Sequence, residues 1–224
     1  MKISIYKDYV DAGYNIHDKT SITLKPGFAV LVGCNGAGKT TLMHQIKDFA
    51  RKKDYPCQYF NNLMDGESHA RSKAAFLNDW TFVATSMSSS EGENIMLNLG
   101  RVSASVGKMV RSNVEDKLPV FILMDAVDSG LSIDNIVEFK KYFIDVVLED
   151  CKQKGIEVYI IASANGYELC RGENCYDVAQ CKYVNFKDYE EYRDFILKSR
   201  EQKEEKLKPV MEAQRKRLKG SGGM

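Results

Sequence analysis

The chain has 224 residues, 44% of them hydrophobic, and a formal net charge of +1. That supplies one substantial α/β core with an appendage and gives no global pull towards an acidic partner. No apolar run approaches the roughly eighteen residues of a membrane span, and the opening Met1-Lys2-Ile3-Ser4-Ile5-Tyr6 alternates like a strand rather than a secretion signal.

A cytoplasmic location is therefore the default expectation, with the six cysteines as reduced thiols. Cys170, Cys175 and Cys181 cluster, but their spacings match neither a zinc knuckle nor a zinc ribbon. In chain order, residues 3–6 and 21–24 read as strands of a small antiparallel section, Lys25-Pro26-Gly27 as a turn, and 28–32 as an apolar strand.

Directly after that strand comes Gly33-Cys34-Asn35-Gly36-Ala37-Gly38-Lys39-Thr40, a complete G-x-x-x-x-G-K-[ST] pattern. Glycines there let backbone N–H groups curl around phosphates, and the positive end of the following helix favours their charge. Lys39 can reach the β- and γ-phosphates, and Thr40 can hold Mg²⁺. Leu42, Ile46 and Phe49 then recur at helical spacing, as the pattern requires. The nucleotide-binding set read from the sequence is Gly33, Asn35, Gly36, Ala37, Gly38, Lys39, Thr40 and Thr41, with a nucleoside triphosphate and Mg²⁺ as the cofactors.

Residues 57–60 and 82–85 read as further core strands. Ser89-Ser90-Glu91-Gly92-Glu93 opens a helix whose apolar positions are Ile95, Leu99, Val102, Val106 and Val110. Ser90 with Glu93 three residues on also fits an ordinary capping box. Residues 120–125 form a fully apolar run ending in Asp125, as a buried parallel strand delivers an acid to a Mg²⁺ site at its carboxyl end. A helix over 133–152 carries an apolar stripe of Ile136, Phe139, Tyr142, Phe143 and Val147. Strands at 158–162 and 182–186 complete the core, and a charged helix follows from 188 to 219. In it Tyr189, Tyr192, Phe195 and Ile196 make a docking face, residues 199–208 lose their apolar positions, and Pro209 interrupts the helix.

These motifs, in this order, resemble the ABC ATPase superfamily. Ser89 to Glu93 resembles its L-S-G-G-Q signature in the dialect of the SMC and DNA-repair heads. Ala126-Val127-Asp128-Ser129-Gly130-Leu131-Ser132 resembles its D-E-P-x-S-G-L-D passage. The resemblance covers residues 1 to about 185 and sets the chain apart from the GTPase, kinase and helicase branches. It implies an α/β P-loop NTPase fold of the ABC type. The core sheet would be mostly parallel with helices on both sides, beside the small N-terminal antiparallel section. Residues 1–187 form the nucleotide-binding domain, and 188–224 a charged C-terminal helix and flexible basic tail. The interval from Thr41 to Ser89 is too short for a coiled-coil arm.

The resemblance further implies a head-to-tail homodimer around ATP, in which Ser90, Gly92 and Glu93 complete the partner's γ-phosphate site. Asp125 and Thr40 would hold Mg²⁺, and Asn61 or Asn62 would couple the metal to the interface, although Asn61-Asn62 before Leu63-Met64-Asp65-Gly66 also reads as a turn. Tyr9 or Tyr14 would stack on adenine.

Three positions depart from the family. The glutamate that polarises the attacking water is replaced by Ala126, the switch histidine by Ala164 with Asn165 beside it, and the D-loop aspartate by Ser132. Loss of a positioned base costs about 10²- to 10⁴-fold in rate, so binding should persist while turnover is slow or absent. Asp128, Asp134 and Glu93 are the alternative bases, with Asp128 also explicable as a turn-forming carboxylate.

The expectation is an ATP-binding head, similar to small phage-encoded AAA-family (ABC-type) ATP-binding proteins, acting in phage or mobile-element DNA metabolism in the host cytoplasm, with no membrane partner. The alternatives are an active ATPase with an unconventional carboxylate, or a non-hydrolytic regulatory binding module. The basic end Arg215-Lys216-Arg217-Leu218-Lys219 is either a solvated helix end or a contact for nucleic-acid phosphates.

Overall fold

The computed structural model describes residues 1–6, 15–61, 81, 84–85 and 91–220, with the side chains at 91, 92, 95 and 213–220 outside the described set. Strands β1 (Lys2–Ser4) and β2 (Ser21–Thr23) pair antiparallel as a separate ribbon. The main sheet comprises β3 (Gly27–Val32), β4 (Cys57–Asn61), β5 (Val120–Asp125), β6 (Val158–Ser163), β7 (Asn174–Asp177) and β8 (Lys182–Val184). Its order is β4-β5-β6-β3-β7-β8, and every neighbouring pair is parallel except β7 with β8.

Among the described residues the helices with stated bounds are α1 (Lys39–Lys52), α2 (Glu91–Ser112), α3 (Ile133–Phe139), α4 (Asp145–Gln153), α5 (Tyr167–Cys170) and α6 (Tyr189–Gly220). A π-helical turn, Lys140–Ile144, joins α3 to α4 and interrupts what the sequence reads as one continuous helix.

Handedness decides which face each helix covers. The connection from β3 through α1 runs across the sheet to its edge at β4. The later crossovers, from β4 to β5 and from β5 to β6, step back the other way. Right-handed crossovers in opposite directions must lie on opposite faces. Accordingly α1 and the β1–β2 ribbon pack on one side, where Ile3, Ile22, Leu42, Met43 and Ile46 meet Leu31, Phe121, Leu123, Tyr159 and Ile161. On the other side Leu99, Val106, Val110, Ile136, Phe139 and Tyr192 meet Val30, Ile122, Met124, Ile160 and Ala162.

The central strands β5 and β6 are buried at every position, which is why they read as unbroken apolar runs rather than alternating ones. Each fully buried large apolar side chain contributes about 1.5–3 kcal/mol, so these two strands anchor the sheet. Phe121 lies stacked between Tyr55 and Tyr159, with ring centroids 6.1 and 4.9 Å away. Among the described residues no helix is long and apolar enough to cross a membrane.

Three elements differ from the sequence reading. Ala84 and Thr85 are helical rather than part of a strand over 82–85, and the Thr85 hydroxyl donates to the Thr81 carbonyl at 2.9 Å. Residues 82 and 83 lie outside the described residues, and a short apolar run does not distinguish strand from helix. Strand β7 went unread because its four residues, Asn174-Cys175-Tyr176-Asp177, carry no β-branched side chain and look like part of the cysteine cluster. Finally, α6 continues through Pro209 instead of ending there. Both Pro209 and Glu205, whose carbonyl loses its partner, are exposed, so water can satisfy the freed acceptor.

Candidate functional site

The carboxyl ends of the parallel strands open on one edge, where an α/β sheet places its ligands. β3 leads into the loop from Gly33 to Gly38, and α1 begins at Lys39. α1 has no side-chain N-cap and no acidic residue in its first turn, so its leading N–H groups are left for an incoming anion. Gly38 has φ 96°, and a Cβ built on it would lie 2.3 Å from Ile16 Cγ2. Glycine is therefore demanded twice at this position, by the left-handed backbone and by the neighbour pressed against it.

A cavity of about 430 Å³ gathers Asn35, Gly36, Gly38, Lys39, Thr40, Thr41, Asp125, Ala126, Ser163 and Asn165. The sequence-predicted loop residues, the acid at the end of β5 and Ala126 directly after it thus meet in one concavity. Ala37 is buried at the loop's inner side, its N–H donating to the Cys34 carbonyl at 3.0 Å. Lys39 Nζ donates to the Gly33 carbonyl at 2.8 Å. Burial pushes the Lys39 ammonium below its ordinary pKa, an effect opposed by the charges of Asp128 and Asp125.

β6 lies between β3 and β5 in the sheet, so its last residue, Ser163, stands beside Asp125. The Ser163 hydroxyl donates to Asp125 Oδ1 at 2.6 Å, and its oxygen accepts the Ala126 N–H at 2.7 Å. Asn61 Nδ2 donates to Asp125 Oδ2 at 3.3 Å, with the Tyr59 hydroxyl at 3.5 Å from the same oxygen. The carboxylate is held from both sides in one orientation. Asn61 thus ends β4 in register with Asp125 at the end of β5, whereas Asn62 lies outside the described residues.

Mg²⁺ takes one or two protein carboxylates or hydroxyls and completes its shell with phosphates and water. A single oriented acid, Asp125, and the Thr40 hydroxyl in one cavity fit that requirement. Among the described residues no group of three or more His, Cys, Asp or Glu could hold a metal without such help.

The three alternative bases lie elsewhere. Asp128 is buried, and its Oδ2 accepts the N–H groups of Asn165 at 2.8 Å and Gly166 at 2.7 Å. Burial raises its pKa, and those two backbone donors work against the rise. Asp128 therefore pins the loop after β6. Asp134 is exposed on the first turn of α3, and the Ser132 hydroxyl holds its carboxyl below the usual range. Glu93 is exposed on α2. None of the three lines the cavity. At the switch position Ala164 is buried, while Asn165 lines the cavity and its amide donates to the Ser129 hydroxyl at 2.9 Å. Ser132 precedes α3 as its N-cap residue without a side-chain capping bond.

Of the signature residues, Ser90 lies outside the described set, Gly92 is in the first turn of α2, and nothing is described of its surroundings. Tyr9 and Tyr14 also lie outside the described residues, as do the side chains of Arg215 to Lys219. Sequence reading missed Ser163, which gives no signal apart from its place at a strand end. It also missed Ser199 and Lys203, which reach the loop from far along the chain.

It missed His17 as well. This imidazole is fully buried against the loop, with Nδ1 2.7 Å from the Val178 carbonyl and Nε2 without a partner among the described residues. The Nδ1 contact needs a proton on that nitrogen, so neutral His17 leaves Nε2 bare and unsolvated. Burial, the largest influence, pushes its pKa below 6.5. The unfolded chain then takes up a proton as pH falls through about 6.5 while the folded chain resists it. Stability is present above that pH and is lost as pH falls towards the folded value, by at most about 1.4 kcal/mol per pH unit. Thermal melts between pH 7.5 and 5.5 should show a steeper decline for the wild type than for His17→Gln.

The chain matches no known family model, and no curated protein matches it.

Proposed function

We propose that this chain is a nucleoside-triphosphate-binding protein of the ABC ATPase type. It holds ATP and Mg²⁺ on the loop from Gly33 to Thr40, and its turnover is slow because Ala126 occupies the position of the general base. The observation that carries the reading is the shared cavity: an uncapped helix start, the Lys39 ammonium, the Thr40 hydroxyl and an oriented Asp125 converge on one space. Those are the groups that bind a phosphate chain and its divalent ion. The bound ion, held by Thr40 and Asp125, would supply neutralisation of phosphate charge; Lys39 and the loop N–H groups would bind and orient the phosphates.

The slow-turnover part rests on what borders the cavity near Asp125. The side chains there are Ala126, Ser163 and Asn165, none of which can accept a proton at neutral pH. The chain pairs head to tail around two nucleotides through Ser90, Gly92 and Glu93, in phage or mobile-element DNA metabolism; this part rests on the motif order alone.

Calorimetry with Mg²⁺–ATP tests the binding, and mass measurement in the same solution tests the pairing. Saturable binding with a doubling of mass is expected. Absence of heat at millimolar nucleotide overturns the whole reading, and a nucleotide-saturated monomer overturns the pairing alone.

A further inference from the structure

Helix α6 reaches the phosphate loop from the side opposite α1. Ser199 is buried, and its hydroxyl oxygen accepts the Cys34 N–H at 3.2 Å. One turn on, Lys203 Nζ donates to the Asn35 carbonyl at 2.7 Å, and then Lys206 pairs with Asp18 at 2.8 Å. A Cβ built on Gly36 would lie 2.8 Å from Lys203 Nζ, so the bare glycine leaves the room that the ammonium occupies. A second cavity, of about 590 Å³, lies between helix and loop, and Asn35, Lys39 and Asn165 line it as well as the first. Arg193, Arg200 and Lys203 border it from α6.

The charge balance singles out one of these cations. Arg200 is paired with Glu204 at 2.9 Å and Arg193 with Glu190 at 2.8 Å. Lys203 has no carboxylate within ion-pair distance among the described residues, and neither has Lys39. Each ammonium rests instead on a carbonyl of the loop itself, Asn35 for one and Gly33 for the other. A neutral carbonyl is a weaker partner for an ammonium than a phosphate oxygen. Two unpaired cations flanking one anion-binding loop are matched to a ligand carrying more than one negative charge.

We propose that Lys203 is a second cation for the terminal phosphoryl group of a nucleoside triphosphate on the loop, delivered within the same chain by α6. The proposal rests on the nucleotide-binding reading above and deepens it, making Lys203 a residue that distinguishes triphosphate from diphosphate. On this chain, where Ala164 stands at the switch position, charge for the last phosphate comes from the C-terminal helix.

The test is calorimetry of Mg²⁺–ATP and Mg²⁺–ADP with the full-length wild type, Lys203→Ala and Lys203→Arg, alongside the melting temperature of each protein without nucleotide. Lys203→Ala should weaken ATP about tenfold, the effect of one charge-assisted contact, leave ADP unchanged, and be largely rescued by Lys203→Arg. Equal weakening of ATP and ADP would mean that Lys203 only fastens the helix to the loop, and overturns the proposal. No change in either affinity overturns it too. If the wild type binds neither nucleotide, the underlying reading fails along with it, which is a different result from a wild type that binds both and a variant that matches it.

Discussion

Lys39→Met should weaken Mg²⁺–ATP binding by about a hundredfold, while the nucleotide-free variant melts at the same temperature as the wild type or slightly higher. The two halves of this result come from one feature. In the free protein the Lys39 ammonium is partly buried and rests on the Gly33 carbonyl, with its pKa depressed by burial. A depressed ammonium pKa means that the unfolded chain holds the proton more tightly than the folded one. Wherever the ammonium stays charged in the folded protein, that charge therefore opposes folding. Methionine keeps most of the stem's packing and removes that opposition.

With nucleotide bound as proposed, the balance would reverse. The ammonium would then face phosphate oxygens in a partly desolvated site, where removing one member of a charged pair costs about 3 kcal/mol or more, equivalent to about a hundredfold in Kd. Calorimetry and thermal melts on the same preparations read both halves. A variant that loses stability and affinity together would instead make Lys39 a structural residue, and one that binds ATP normally would remove the loop from the site altogether.

The parts of this molecule that could be read from the sequence are those whose chemistry is local. The run from Gly33 to Thr40 needs glycines and a lysine at fixed spacing, so its pattern survives in the sequence, and the structure puts it at a strand end and a helix start. β5 and β6 were legible because strands covered on both faces are apolar throughout. What was illegible depends on pairing between distant segments. Ser163 matters only because β6 is inserted between β3 and β5, an ordering that no local pattern records. Ser199 and Lys203 lie in a stretch that reads as a solvated helix, because its contacts with the loop are single polar side chains rather than an apolar stripe. Asp128, equally, reads as a turn former or a base. Its two backbone donors, Asn165 and Gly166, come from the far side of β6 and give it a structural task.

Ala126→Glu should raise steady-state phosphate release by about tenfold to a hundredfold with little change in ATP affinity, and Ala126→Gln should not. Ala126 directly follows Asp125, lines the cavity with Lys39 and Thr40, and is fixed by its N–H bond to Ser163. Its φ of 53° lies in the left-handed region, which costs a non-glycine residue about 1 kcal/mol or more and persists only where the surroundings enforce it. Glutamate suffers the same backbone penalty as alanine, so the substitution adds little strain, and the new carboxylate starts from a fixed position on the cavity wall. A positioned general base contributes about 10²- to 10⁴-fold; the lower part of that range, or less, is expected because Asn165 and Ala164 supply no switch histidine. Glutamine has the size without the proton affinity, and so separates base catalysis from a change in cavity shape. Equal rates for the two variants would show that the missing base is not what limits turnover, and that the slow step lies in assembling the site around the terminal phosphate.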